Sequence, residues 1–160
     1  FLEENKILFL CKLHPFEETM FKNKMNELGE NVKLIKNVDL FKKDIDLYSL
    51  IAKTDILITD YSSVYFDYLL INKPIIFAPT DLKEFKKKRG FLLEPYDFWA
   101  PGPKAITQEK VQKEIIKCIE NPKYYEKERK TVNNIINRYR DDRSSERIAN
   151  LIIKRLNKDI

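Results

Sequence analysis

The sequence predicts an α/β fold built on a parallel sheet. Three observations carry that expectation. Short apolar runs alternate with stripes of apolar residues at helical spacing. The runs are nearly continuous rather than alternating apolar with polar, as suits strands covered on both faces. Helices between successive strands imply crossover connections, which make neighbouring strands parallel.

The elements follow in order. Ile7–Lys12 (ILFLCK) is the first strand. Pro15 opens a helix, Phe16–Leu28 sets Met20, Phe21, Met25 and Leu28 on one stripe, and Gly29 suits its stop. Val32–Ile35 is a second strand, and Asp46–Lys53 a short helix with Leu47, Leu50 and Ile51 inward. Asp55–Thr59 is a third strand, Tyr61–Ile71 a largely buried apolar helix, and Pro74–Ala78 a fourth strand. Residues 82–105 read as a loop-rich stretch with a basic run and three prolines. Three helices close the chain, marked by Val111, Ile115 and Ile119, then Val132, Ile135, Ile136 and Tyr139, then Ile148, Leu151, Ile152 and Arg155. The expectation is one domain over residues 1–160, with a helical cap over about 107–160.

Composition excludes several classes. Only three glycines occur, at 29, 90 and 102, and neither G-x-G-x-x-G nor a Walker-type loop is present. The net charge is +5, and residues 122–160 carry 11 Lys and Arg against 6 Asp and Glu, so the excess lies in the tail. A solvated helical face is the plainer reading of that excess, and attraction to an anionic surface is the sharper one. Nucleic acid is not expected, because no binding motif or stacking platform accompanies the charge. Cys11 and Cys118 lie far apart in apolar runs and read as reduced, buried thiols. With His14 as the sole histidine, no metal site is expected. No apolar run approaches the roughly 18 residues needed to cross a bilayer, and no signal peptide is recognisable. The chain starts at Phe1 rather than Met and is expected to be part of something longer.

Ligands of parallel sheets bind beyond the carboxyl ends of strands. The residues there are Lys12-Leu13-His14, Thr59-Asp60-Tyr61-Ser62-Ser63 and Pro79-Thr80-Asp81. Ser62 and Ser63 fall near a helix start, where free N–H groups and hydroxyls favour an anion such as a diphosphate. Asp60 or Ser62 acting only as a helix cap is the alternative. His14 is a candidate proton carrier or phosphate contact, with Lys12 two residues before it; an ordinary histidine at a helix entry is the alternative. Asp67, one turn beyond Ser63, suits either donor hydroxyls or a surface ion pair. Lys83, Lys86, Lys87 and Lys88 read as a solvated charged face, whereas Arg89 beside Gly90 suits a bidentate phosphate contact.

Taken together these segments resemble a known family. K-L-H-P (Lys12–Pro15), D-L-Y-S-L-I-A-K-T-D-I-L-I-T-D-Y-S-S-V-Y-F-D-Y (Asp46–Tyr68), K-P-I-I-F (Lys73–Phe77), R-G-F (Arg89–Phe91) and P-G-P (Pro101–Pro103) resemble the CDP-glycerol glycerophosphotransferases of teichoic-acid and capsule synthesis. The resemblance runs from about Ile7 to about Ile153. It implies a GT-B-like enzyme of two Rossmann-like domains with helices on both sheet faces, this chain being the C-terminal, donor-binding half. By the same resemblance Lys12, Leu13, His14, Ser62, Ser63 and Asp67 line the donor site, with Arg89 added as a further contact. It implies a nucleotide-linked donor such as CDP-glycerol, an anionic polymer acceptor and no cofactor. The implied location is cytoplasmic, peripheral on the inner face of the cell membrane through the basic C-terminal helices. The family's upstream H-G-T-P-L-K-type segment is absent, and Asp141–Ser145 departs from the family's D-G pattern. The chain alone is therefore expected to be inactive. Two other classes stand beside this one, a GT-B glycosyltransferase using a UDP- or CMP-sugar and a non-catalytic nucleotide- or membrane-docking module.

Overall fold

The computed structural model describes residues 1–13 and 29–157. The expected helix over Phe16–Leu28 lies outside the described residues, and so does His14.

Four short strands pair in parallel. β1 (Phe9–Cys11) runs beside β2 (Val32–Leu34), with Phe9 opposite Val32 and Cys11 opposite Leu34. β3 (Leu57–Thr59) runs beside β4 (Ile75–Phe77), with Leu57 opposite Ile75 and Thr59 opposite Phe77. Each ladder extends by one rung: Ile35 N donates to the Cys11 carbonyl at 2.8 Å, and Ala78 N to the Thr59 carbonyl at 2.7 Å. The parallel direction is as the sequence predicts. Among the described residues the ladder hydrogen bonds fall into two pairs, β1–β2 and β3–β4.

The β3–β4 pair is the centre of the fold, and all three β4 residues are buried. Side chains of a strand alternate between faces, and each face meets its own apolar cluster. Leu57, Ile75 and Phe77 join Tyr65, Tyr68, Leu69, Ala100 and Val132. Ile56, Ile58 and Ile76 join Ala105, Ile115 and Cys118, with Phe1 and Ile7 alongside. Helices therefore cover both faces.

The helices preceding and flanking this pair are short. α1 (Asn37–Lys42) and α2 (Leu47–Ile51) bridge β2 to β3, and Asp46 caps α2 by accepting from Ser49 N at 2.9 Å. α3 (Val64–Tyr68) runs into a 3-10 turn, Leu69–Ile71, which Asn72 ends in the left-handed conformation. The expected apolar helix over Tyr61–Ile71 thus starts later, and Tyr61–Ser63 stay in the loop. Tyr65, Tyr68 and Leu69 are buried, whereas Leu70 and Ile71 are exposed.

Residues 82–105 need correction. They hold α4 (Leu82–Lys88) and α5 (Tyr96–Trp99), where the sequence reads as loop. The prolines at 95, 101 and 103 suggest a coil, but Phe85 and Tyr96 anchor these turns by ring packing that no local pattern reveals. The Pro101–Pro103 segment then lies against β4. Phe77 N donates to the Pro103 carbonyl at 2.9 Å, and Ala105 N donates to the Phe77 carbonyl at 2.8 Å. A Cβ at Gly102 would stand 2.1 Å from the Ile75 carbonyl oxygen, so only glycine allows this approach.

Three helices complete the described chain: α6 (Gln108–Glu120), α7 (Glu126–Ile136) and α8 (Ser144–Leu156). On α6 the buried stripe is Val111, Ile115 and Cys118, and the expected Ile119 is exposed. Cys118 sits seven residues after Val111, nearer the stripe centre than position 119. On α7 the inward residues are Arg129, Val132, Asn133 and Ile136, while Ile135 and the following Tyr139 are exposed. On α8, Ile148, Leu151, Ile152 and Leu156 are all exposed. Cys11 is half-buried rather than buried. No helix of the described residues is long and apolar enough to cross a membrane.

Candidate functional site

The described candidate site residues follow β1 (Lys12, Leu13), follow β3 (Ser62, Ser63), sit on α3 (Asp67) or follow α4 (Arg89). Lys12 and Leu13 follow β1 directly, both half-buried, and Lys12 Nζ donates to the Leu13 carbonyl at 2.7 Å. The adjoining His14 has no described geometry.

After β3, Asp60 turns the chain by accepting from Ser62 N at 3.1 Å. This is the local role that the capping alternative allowed for Asp60, moved one turn upstream. Ser63 is the helix cap by position, yet its side chain makes no capping bond. Ser62 and Ser63 are both exposed. In the first turn of α3, Tyr65 N donates to the Ser62 carbonyl at 3.5 Å and Phe66 N to the Ser63 carbonyl at 3.0 Å. The five-residue length of α3 makes its dipole small. Asp67 is exposed on α3 and forms no ion pair among the described residues.

Arg89 ends α4 and precedes Gly90, whose φ of 71° is left-handed. Of the neighbouring lysines, Lys86 pairs with Glu94 at 3.2 Å and Lys88 with Glu84 at 2.5 Å. Arg89 is exposed and has no carboxylate partner among the described residues. Among the described residues, no carboxylate competes with an anion for its guanidinium.

Sequence reasoning missed the aromatic assembly joining these parts. The Tyr61 ring stacks on Phe85 at 4.0 Å between centroids, and lies 5.9 Å from Phe91 and 6.0 Å from Tyr96. Tyr61 Oη donates to Asp81 Oδ1 at 2.8 Å, and Tyr96 Oη donates to the Asp60 carbonyl at 3.4 Å. Burial, then the hydrogen bond and charge of Asp81, push the Tyr61 phenol well above its usual range, so it stays a donor. The four rings come from a loop, α4, the turn after it and α5. No periodicity links them, and although Tyr61 and Phe91 fall in the Asp46–Tyr68 and R-G-F motifs, nothing in the sequence pairs them.

An open depression of about 460 Å³ lies elsewhere, lined by Phe1, Leu2, Gly29, Asn31, Gln108 and Gln112. It sits at the amino end of β2, opposite to where parallel sheets bind ligands. No group of three or more potential metal ligands occurs among the described residues.

Parallel strands, crossover connections and a strand pair covered on both faces define a Rossmann-like α/β unit. A family profile described as CDP-Glycerol:Poly(glycerophosphate) glycerophosphotransferase matches residues 1–154, and the chain belongs to that family. It is 36% identical over 151 residues to the teichoic acid glycerol-phosphate primase of Bacillus subtilis strain 168, covering 94% of this chain and 35% of the relative. It is 32% identical over 153 residues to the teichoic acid poly(ribitol-phosphate) polymerase of Bacillus spizizenii, covering 94% of this chain and 22% of the relative. The chain thus spans about a fifth to a third of the length of these curated relatives. A solved structure of the wall teichoic acid polymerase TagF shares the fold, with a TM-score of 0.56 at 22% identity, covering 96% of this chain and 44% of that one.

Proposed function

We propose that this chain is the donor-binding domain of a CDP-glycerol glycerophosphotransferase, which adds glycerol phosphate to a teichoic-acid-like or capsular polymer. The observation that carries this is the exposed Ser62–Ser63 pair after β3, together with an Arg89 that has no carboxylate partner among the described residues. Family membership and the glycerol-phosphate primase and polymerase relatives support it.

In the reaction an acceptor hydroxyl oxygen attacks the β-phosphorus of the donor. The bond from that phosphorus to the bridging oxygen breaks, CMP departs with the electron pair, and a phosphodiester forms. Such transfers depend on positioning and charge stabilisation. The Ser62 and Ser63 hydroxyls hold the diphosphate, and Arg89 offsets the charge growing on CMP. Lys12 and His14 complete the phosphate contacts, with His14 the candidate to carry the acceptor proton. Asp67 accepts from donor hydroxyls. The acceptor is an anionic polymer, bound by parts beyond this chain.

The finer partner reading is a peripheral contact with the cytoplasmic face of the membrane. Exposed Ile148, Leu151, Ile152 and Leu156 share α8 with Arg147, Lys154 and Arg155, a pattern that suits an anionic interface.

Calorimetric titration with CDP-glycerol and CMP tests the donor site. Binding that weakens on Ser62→Ala is expected. No heat from either ligand, or no effect of the substitution, counts against it. The ribitol-phosphate polymerase among the relatives favours one second reading, a CDP-ribitol donor. Titrating both polyol donors, with a UDP-sugar alongside, separates these.

A further inference from the structure

We propose that Tyr61 is a positioning residue that sets the separation between the Ser62–Ser63 hydroxyls and the Arg89 guanidinium. The proposal rests on the donor-site reading above. Tyr61 is joined to Ser62 by one peptide bond. Its ring meets two residues that bracket Arg89, Phe85 at 4.0 Å and Phe91 at 5.9 Å. Phe85 and Phe91 in turn stack on each other at 5.5 Å.

The backbone between those rings is fixed too. Arg89 N donates to the Phe85 carbonyl at 2.8 Å, and Gly90 N donates to the same oxygen at 3.2 Å. Arg89 is thus carried on a closed turn whose two ends both rest against Tyr61. The Tyr61 hydroxyl ties to Asp81, immediately before α4, at 2.8 Å. Asp60, on the other side of Tyr61, is held by Tyr96, which stacks on Phe91 at 5.1 Å. Four rings and two hydroxyls therefore hold the loop after β3 against the turn after α4. Neither segment has a strand or a long helix of its own to fix it, so ring packing supplies the rigidity that an anion clamp needs.

The chemistry that follows is specific. A diphosphate contacts Ser62–Ser63 with one phosphate and Arg89 with the other only when their separation matches the ligand. Without the Tyr61 ring both contacts survive singly, but they no longer act together.

The test is a double-mutant cycle read by equilibrium binding of CDP to the full chain, with thermal unfolding measured on each variant. Tyr61→Leu removes the stack and should weaken binding roughly tenfold. Tyr61→Phe keeps the ring and loses only the Asp81 bond, so about a threefold to fivefold loss is expected. Asp81→Ala should reproduce that smaller loss and add little to Tyr61→Phe. In an Arg89→Ala background the Tyr61→Leu loss should shrink to less than about twofold, because its partner is already gone. A Tyr61→Leu loss that persists in full beside Arg89→Ala overturns the proposal. So does Tyr61→Phe or Tyr61→Leu binding CDP like the parent while Arg89→Ala is weakened. If Tyr61→Leu fails to fold, Tyr61→Phe and Asp81→Ala carry the cycle with Arg89→Ala. If the parent chain binds no CDP, or Arg89→Ala binds it normally, the donor reading itself falls and takes this one with it.

Discussion

Arg129 donates from Nε to the Asn72 side-chain oxygen at 3.3 Å and from Nη2 to the Asn72 carbonyl at 3.2 Å. The guanidinium is fully buried, and its other contacts are the carbonyls of Pro122, at 3.1 Å, and Tyr124. Four oxygens, three of them main-chain, thus take the place of a carboxylate. Asn72 holds a left-handed turn at φ 52° and returns a bond from its amide to Glu126 at 3.2 Å. The pair fastens α7 to the turn that feeds β4.

Arg129→Leu should therefore lower stability by about 3 kcal/mol, because it strands buried carbonyls as well as losing bonds. Asn72→Gly keeps the left-handed turn and loses only the side-chain contacts, so about 1 kcal/mol is expected. Urea unfolding of both variants checks the ranking, and equal losses would mean that the carbonyl contacts contribute little.

The two glycines of the 82–105 region should respond differently to alanine. At Gly102 the added Cβ meets the Ile75 carbonyl at 2.1 Å, a clash with main chain that cannot rotate away. A loss above about 3 kcal/mol is expected there, by way of a displaced β4. At Gly90 the space is open and only the φ of 71° resists, so about 1 kcal/mol is expected. Thermal melts of the two variants separate clash from conformation.

Burial raises the Cys118 thiol from an ordinary 9.0 to about 11. The folded chain therefore holds the neutral thiol where the unfolded chain ionises. Its contribution to stability is fully present below pH 9.0 and is lost as the pH rises through about 11. Iodoacetamide at pH 8 should alkylate Cys11, which is half-buried, well before Cys118. Peptide mass mapping reads the order, and rapid labelling of Cys118 in folded protein would contradict its burial.

Arg89→Ala should weaken CDP-glycerol binding by about 1.5–3 kcal/mol, the range for a charged hydrogen bond. Lys83→Ala and Lys87→Ala on the same helix should change it by less than about 0.5 kcal/mol. Titration of all three variants tells a specific contact from a general basic field, which would give three similar losses.

The exposed face of α8 gives a contrast between stability and partner binding. Leu151→Ser with Ile152→Ser should leave the melting curve within about 0.5 kcal/mol, since both side chains are already in water. The same variant should sediment less with vesicles rich in anionic lipid. Unchanged sedimentation would remove the membrane reading.

Much of this was legible in the sequence, for identifiable reasons. Ile75, Ile76 and Phe77 read as a doubly covered strand because all three are apolar, and all three are buried. Ser62 and Ser63 stand out in the sequence as candidates because a strand and a helix flank them closely. What escaped depends on contacts distant in sequence. Tyr61 reaches Phe85, 24 positions on, and Arg129 reaches Asn72, 57 positions back. Charge alone placed Arg129 among the solvated residues of the tail, yet it is the largest of the fully buried side chains among the described residues. The α8 stripe was read correctly as helical, but periodicity does not say whether a stripe is covered, and this one is not.

The division of β4 between two apolar clusters has a consequence for how such a chain tolerates change. Ile75 and Phe77 belong to one interior and Ile76 to the other, with only the strand's main chain between them. A repacking of Cys118 and Ile115 need not be answered by Val132 or Tyr68. Substitutions should accumulate within each interior in concert and between the two almost freely. Lineages can thus drift in one half of the core while the other keeps its shape, and the loop that bears Ser62 is anchored on the half containing Tyr65.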